Sequence, residues 1–129
     1  MIFKTTRFGD VDSPDDKIIN FPKGLLGFEK EKIFALLPFA EQESCPLEWM
    51  QSVQTPELAF VVTDPNIFIP NYEVDLLETE RADIELSSNQ SFTLKVIVTV
   101  PDVYIDMTAN LAGPIVINLD KMVGKQFVL

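Results

Sequence analysis

The chain has 129 residues, of which 47% are hydrophobic and ten are Phe, enough for a core that removes about two thirds of the unfolded chain's surface from water. Asp and Glu number 20 against 10 Lys and Arg, giving a formal net charge of −10, which argues against direct binding to nucleic acid because phosphate contacts need clustered cations. No apolar run approaches the roughly 18 residues of a membrane span. The N-terminal residues lack the apolar stretch of a secretory signal, so we expect a cytoplasmic protein that does not bind membranes.

The acidity favours a particular kind of partner. A field of this sign attracts a basic protein, or a protein that itself binds nucleic acid. The alternative is that the charge serves solubility alone. The charge therefore indicates a protein partner without selecting one.

The residues that carry chemistry are few. The chain has no His and one Cys, so a Cys–His nucleophile is impossible and Cys45 cannot form an internal disulfide, in agreement with a reducing compartment. Asp64 and Glu73 are the best acid and base pair for an enzyme, but nothing in the pattern selects them. We therefore expect no catalysis and no cofactor.

Short runs of β-branched and apolar residues alternate with Gly, Pro, Asn and Asp along the whole chain, a pattern typical of strands and turns. Strands are predicted at residues 2–7, 17–21, 32–37, 58–63, 73–77, 92–100, 104–111, 115–119 and 126–129. We expect residues 94–101 and 115–119 to form the central pair, since their apolar density is highest.

Two segments favour helical structure. Ser44 or Cys45 can cap a helix, Pro46 suits its first turn, and residues 47–51 are good helix formers, so a helix of at most two turns is predicted there. The polar residues 78–83 can wind into a helical turn. With so little helix, the pattern predicts an all-β fold with one short helix or helical turns, an antiparallel sandwich or partly closed β-barrel formed by residues 1–129 as a single domain.

Residues 9–16 concentrate Gly, Pro, Ser and Asp and are predicted to be a loop. Their carboxylates raise the question of calcium. An EF-hand loop counted from Asp10 needs Gly at its sixth position and Glu at its twelfth, where this chain has Asp15 and Phe21. We therefore expect no metal site.

Apolar residues on a predicted loop are candidates for partner contact. The segment between Pro65 and Pro70 and its neighbour Tyr72 are apolar, and carboxylates follow at once. An apolar anchor ringed by charge is a common design of protein interfaces; the alternative is that the loop folds back to plug one end of the sheet. The predicted contact residues are Phe68, Ile69, Tyr72, Glu73, Asp75 and Glu78.

Four segments in order resemble the flagellar assembly factor FliW family. They are Phe21-Pro22-x-Gly24-Leu25-x-Gly27-Phe28-Glu29, Trp49-Met50-Gln51-Ser52, Phe60-Val61-Val62-x-Asp64-Pro65-x-x-Phe68-x-Pro70-x-Tyr72-Glu73 and Asn110-Leu111-x-x-Pro114-Ile115-Val116-Ile117-Asn118. The chain departs from the family pattern at Leu26, where Pro is frequent, and at Leu47, where Phe is frequent. These departures affect loop geometry more than membership.

The resemblance implies a bacterial cytoplasmic protein that is not an enzyme. It implies two competing partners, flagellin and the RNA-binding translational regulator CsrA. Flagellin that awaits secretion occupies the factor; once flagellin is depleted, the free factor binds CsrA and relieves its repression of flagellin synthesis. The alternative is a dedicated flagellin chaperone without a translational role. The resemblance assigns no role to the six predicted contact residues.

Overall fold

The computed structural model describes residues 1–41, 44–100 and 107–129. The strands in these ranges are β1 (Ile2–Thr5), β2 (Gly9–Asp12), β3 (Ile18–Asn20), β4 (Ile33–Pro38), β5 (Leu47–Ser52), β6 (Ala59–Thr63), β7 (Thr93–Thr99), β8 (Thr108–Ala109), β9 (Ile115–Asn118) and β10 (Val123–Gln126). One short helix, α1 (Glu78–Asp83), and two 3-10 turns, Asp15–Lys17 and Pro65–Ile67, complete the elements.

Seven strands close into a barrel. Their order is β6-β5-β4-β3-β10-β9-β7, and β7 pairs again with β6 to complete the ring, while β8 pairs, within the described ranges, with β7 alone. All pairs are antiparallel except β3 with β10, which run parallel with Val123 beside Asn20. The all-β prediction is confirmed, and the barrel is closed and mixed. The expected central pair exists, because β7 and β9 are adjacent with Leu94 opposite Val116.

The barrel interior is packed with side chains because successive residues of a strand point to opposite faces. Alternate residues of the barrel strands face inward, and the largest of these side chains are almost fully buried. The interior cluster comprises Ile19, Phe21, Leu25, Phe34, Leu36, Met50, Val62, Ile115 and Ile117. The corner that follows β3 helps to close one end, where the ring of Phe28 meets that of Phe60 edge-on at 5.1 Å.

A hairpin of β1 and β2 covers the barrel from outside. Phe3 packs with Ile18 and Ala35 on the outward faces of β3 and β4. The loop predicted at residues 9–16 is therefore wrong over Gly9–Asp12, which forms β2. Gly9 adopts φ +67° at the reversal, and the Thr5 hydroxyl accepts the Phe8 N–H at 2.7 Å, so pairing with β1 overrides the turn-forming composition.

The segment from residue 73 to 92 covers another part of the outer barrel surface. Ile84 and Leu86 pack on Val116, Val123 and Phe127. The strand predicted at residues 73–77 is wrong, since this segment pairs with no strand in the part of the chain that the structure describes. Its apolar and polar residues alternate because one side packs on the barrel, and that produces the signature of a strand without strand pairing.

The helix predicted around residues 44–51 is also wrong. Residues Leu47–Ser52 form β5, which pairs with β4 on one edge and β6 on the other. Met50 is fully buried inside the barrel, and Trp49 lies on the outer face, stacked on Phe39 with ring centroids 5.2 Å apart. Pairing on both edges satisfies the backbone, which outweighs a weak helix propensity.

The remaining predictions have different outcomes. The helical turn at 78–83 is confirmed as α1. The last strand is displaced from 126–129 to Val123–Gln126. Of the strand predicted at 104–111, residues 104–106 lie outside the described residues, and within the remainder only Thr108–Ala109 is a strand.

Candidate partner-binding surface

The loop after β6 begins at a sharp change of direction. The Asp64 carboxylate accepts hydrogen bonds at Oδ1 from the Asn66 backbone N–H at 2.9 Å and from Asn66 Nδ2 at 2.8 Å, which caps the turn Pro65–Ile67. These two bonds, with a smaller contribution from Lys95, hold the pKa of Asp64 below its usual value. Asp64 is therefore ionised at neutral pH and suits the role of an acceptor rather than a general acid.

Polar contacts fix the loop in place. Asn66 Oδ1 accepts a hydrogen bond from the Tyr72 N–H at 2.8 Å. Between them, Asn71 adopts the left-handed backbone conformation, with φ 61°. The Tyr72 hydroxyl donates to the Leu111 carbonyl at 2.5 Å, and burial raises the pKa of Tyr72. The loop thus has a defined shape although it contains no strand pairing.

Exposure divides the predicted apolar residues. Ile69 is 47% exposed. Phe68 and Tyr72 are less exposed, each being half-buried, and Tyr72 anchors the loop. Ile67, which the sequence analysis missed, is 49% exposed. The sequence signal for Ile67 is its spacing from Ile69. The two residues are two positions apart, with the less exposed Phe68 between them, so their side chains are exposed together.

The extended segment that follows sorts its side chains in the same way. Val74 is buried and Leu76 packs on the barrel, whereas Glu73 and Asp75 are exposed. Leu77, also missed in the sequence analysis, is 68% exposed immediately before α1. Its N–H donates to Glu80 Oε1 at 2.9 Å, which secures the start of the helix.

Carboxylates lie next to these exposed apolar residues along the chain. No ion pair among the described residues involves Glu73, Asp75 or Glu78. Asp83, at the end of α1, differs because its Oδ2 lies 2.7 Å from Lys125 Nζ, and this hydrogen bond lowers the pKa of Asp83. We name Ile67, Ile69, Glu73, Asp75, Leu77 and Glu78 the 67–78 surface.

Among the described ranges there is no group of three or more side chains arranged to hold a metal ion. In the same ranges, no helix is both long enough and apolar enough to span a membrane.

The arrangement of the 67–78 surface suits protein contact, since its apolar residues stand out from a fixed backbone and its carboxylates lack counter-charges.

These features define a small closed, mixed β-barrel with outer covering segments and an acidic, partly apolar surface. The family model described as "FliW protein" matches residues 2–129. The chain belongs to the FliW family.

Relatives of similar length support this assignment. Flagellar assembly factor FliW of Heliobacterium modesticaldum is 43% identical over all of this chain and 83% of its own length. That of Geobacillus thermodenitrificans is 41% identical over all of this chain and 88% of its own. A crystal structure of the flagellar assembly factor FliW superposes with a TM-score of 0.86 at 40% identity, covering all of this chain and 89% of that one.

Proposed function

We propose that this protein is a cytoplasmic flagellar assembly factor that binds flagellin and, when free of flagellin, binds CsrA and antagonises its binding to RNA. The observation that carries the proposal is the 67–78 surface of a chain in the FliW family. Neither partner requires catalysis by this protein, which acts by occupancy.

The 67–78 surface supports flagellin binding. Three exposed aliphatic side chains, Ile67, Ile69 and Leu77, lose water when a partner covers them, and burial of each contributes about 1–2 kcal/mol at 25 cal/mol per Å2. The neighbouring carboxylates, Glu73, Asp75 and Glu78, add orientation and association rate more than affinity. Such a surface binds an apolar segment bordered by positive or hydrogen-bond donor groups.

The net charge of −10 supports antagonism of an RNA-binding protein. An acidic body docked beside an RNA site raises the cost of bringing phosphates there, even without occupying the site. Antagonism by electrostatic repulsion of the RNA differs from a steric block of the RNA site in its dependence on salt concentration. Antagonism should weaken when salt rises from about 0.05 to 0.5 M, since the screening length falls over this range; inhibition that is insensitive to salt would contradict repulsion.

The alternative function is a flagellin chaperone without a translational role. It shares the flagellin surface, so flagellin binding cannot distinguish the two functions. The discriminating observation is direct binding of purified CsrA.

The test is a competition between purified components. Calorimetry should show this protein binding flagellin and, separately, CsrA, and saturating flagellin should prevent CsrA binding. An RNA gel-shift assay should then show CsrA released from RNA by this protein and retained when flagellin is added. Binding of flagellin without CsrA would leave the chaperone function, and binding of neither would overturn the proposal.

A further inference from the structure

The loop that follows β6, residues 64–72, carries two of the three exposed aliphatic side chains of the 67–78 surface, Ile67 and Ile69. This 64–72 loop takes part in no strand pairing within the described ranges. Its shape and its position on the barrel therefore depend on other contacts, and so does the arrangement of the two isoleucines that a partner would meet.

Most hydrogen bonds of the 64–72 loop are internal to it. The N–H groups of Phe68 and Ile69 donate to the Pro65 carbonyl at 3.0 and 3.1 Å. The Tyr72 N–H donates to Asn66 Oδ1, which joins the two ends of the loop. Bonds of this kind define the internal shape of the loop, but they move with it and do not fix its position on the barrel.

One hydrogen bond ties the loop to another part of the chain. Among the described residues, the bond from the Tyr72 hydroxyl to the Leu111 carbonyl is the only hydrogen bond that joins residues 65–72 to the chain outside the loop. The other attachments are apolar, through the buried Pro65 and the half-buried Phe68. Apolar contact is not directional, so the hydroxyl is the group that selects one position of the loop.

The acceptor of this bond is itself held by the barrel wall. On one side of Leu111, the Asn110 N–H donates to the Ile97 carbonyl of β7 at 2.9 Å. On the other side, the Gly113 carbonyl accepts a hydrogen bond from Nε2 of the buried Gln126 of β10 at 2.9 Å. The Tyr72 hydroxyl therefore connects the loop to a carbonyl whose position two strands of the wall fix.

The exposure of Tyr72 also separates it from the isoleucines. Its ring is half-buried and its hydroxyl is used inside the protein, so it offers a partner less surface than the exposed Ile67 and Ile69 do. Burial raises the pKa of Tyr72, and the hydroxyl stays protonated and able to donate at neutral pH. The sequence analysis predicted Tyr72 as a contact residue, whereas the geometry gives it a different task.

We propose that Tyr72 is a positioning residue for flagellin binding: its hydroxyl, bonded to the Leu111 carbonyl, holds the 64–72 loop on the barrel and presents Ile67 and Ile69 together before flagellin arrives. This inference rests on the proposed function and deepens it. Flagellin then meets the loop in its binding shape, and apparent affinity is proportional to the fraction of molecules in that shape. A residue that contacts the partner acts mainly on the dissociation rate instead.

The test separates the two rate constants for purified flagellin, measured by surface plasmon resonance with the full chain. Tyr72→Phe removes only the hydroxyl. The association rate constant should fall by about fivefold, the effect on the population of one hydrogen bond of ordinary net strength, while the dissociation rate constant stays within about twofold of the wild type. Ile69→Ala should show the opposite division, with dissociation faster by about fivefold or more and association nearly unchanged.

Thr5→Val is the matched control, because it also removes one hydroxyl that forms hydrogen bonds inside the protein. Thr5 belongs to the β1–β2 hairpin, which packs on β3 and β4, so both rate constants should stay at the wild-type values. A second measurement uses the free proteins. In 15N relaxation, order parameters at the amides of residues 67–69 should fall in Tyr72→Phe and not in Thr5→Val, while those of β4 stay unchanged in both.

An unchanged association rate constant in Tyr72→Phe would overturn the inference. So would faster dissociation with unchanged association, which would make Tyr72 a contact residue, and so would unchanged order parameters at residues 67–69. An equal fall in association for Thr5→Val would show a general effect of a lost hydroxyl and would overturn it as well. All these results leave flagellin binding intact, whereas failure of the wild type to bind flagellin would overturn the proposed function and this inference with it.

Discussion

The barrel wall and the 67–78 surface are held in shape by different means. In the wall, backbone pairs fix each strand on both edges, and inward side chains such as Phe34 and Met50 are fully buried. In the loop that leads into the 67–78 surface, side chains replace the ladder, with Asn66 and Tyr72 binding backbone groups. The wall therefore uses its apolar residues for stability, while the 67–78 surface leaves apolar side chains exposed.

The largest expected effect is the loss of a large side chain from the wall. Phe34→Ala should lower the free energy of unfolding by about 3–5 kcal/mol, because it removes apolar contact and leaves a cavity. Urea unfolding measures the change. Ile2→Ala, at a position that is 76% exposed, is the control and should change stability by less than about 0.5 kcal/mol. Equal effects of the two changes would contradict the packing.

A glycine pair tests the corner that closes one end of the barrel. Gly24 has φ +64°, and a Cβ there would lie 2.6 Å from the backbone of Glu29. Gly9 has φ +67° with open space around it. Gly9→Ala should cost about 1–2 kcal/mol for left-handed geometry alone, and Gly24→Ala about 1–3 kcal/mol more because of the clash. Equal decreases in the midpoint temperature of thermal unfolding for the two variants would show that the Glu29 backbone moves to make room for the added Cβ.

The attachment of the segment at residues 84–90 depends on Asn118, which is fully buried. Its Nδ2 donates to the carbonyls of Ile84 and Glu85 at 2.9 and 3.1 Å, and its Oδ1 accepts from Gln90. Asn118→Ala should cost about 1–3 kcal/mol by leaving these groups without partners. Hydrogen exchange should show residues 84–90 opening more than β4; uniform opening would contradict a local role for Asn118.

Much of the wall could be predicted, because strands such as Ile115–Asn118 and Thr93–Thr99 carry dense β-branched residues. Strand β5 could not, since residues 47–52 lack that signal and become a strand only through β4 and β6. At the candidate site, the apolar loop was visible in the sequence. The anchoring role of Tyr72 was not, because it depends on Leu111, 39 residues away.

Acid should lower the free energy of unfolding by less than the substitutions above, through protonation of Asp64 and Asp83. The pKa values of Asp64 and Asp83 are lowered in the folded protein, so their stabilising contribution is complete above the unfolded value of about 4 and is lost as pH falls through the folded values. Between pH 6 and pH 3, the wild type should lose more stability in urea unfolding than Asp64→Asn with Asp83→Asn. Equal losses would contradict these contributions.

The most direct test of the division between wall and surface compares stability with affinity in one variant. Ile67→Ser with Ile69→Ser changes only exposed side chains, so the free energy of unfolding should change by less than about 0.5 kcal/mol per site. Affinity for purified flagellin, measured by calorimetry, should fall at least tenfold, with Ile2→Ser as the exposed control that keeps wild-type affinity. Wild-type affinity in the folded double variant would contradict a role for the 67–78 surface in flagellin binding.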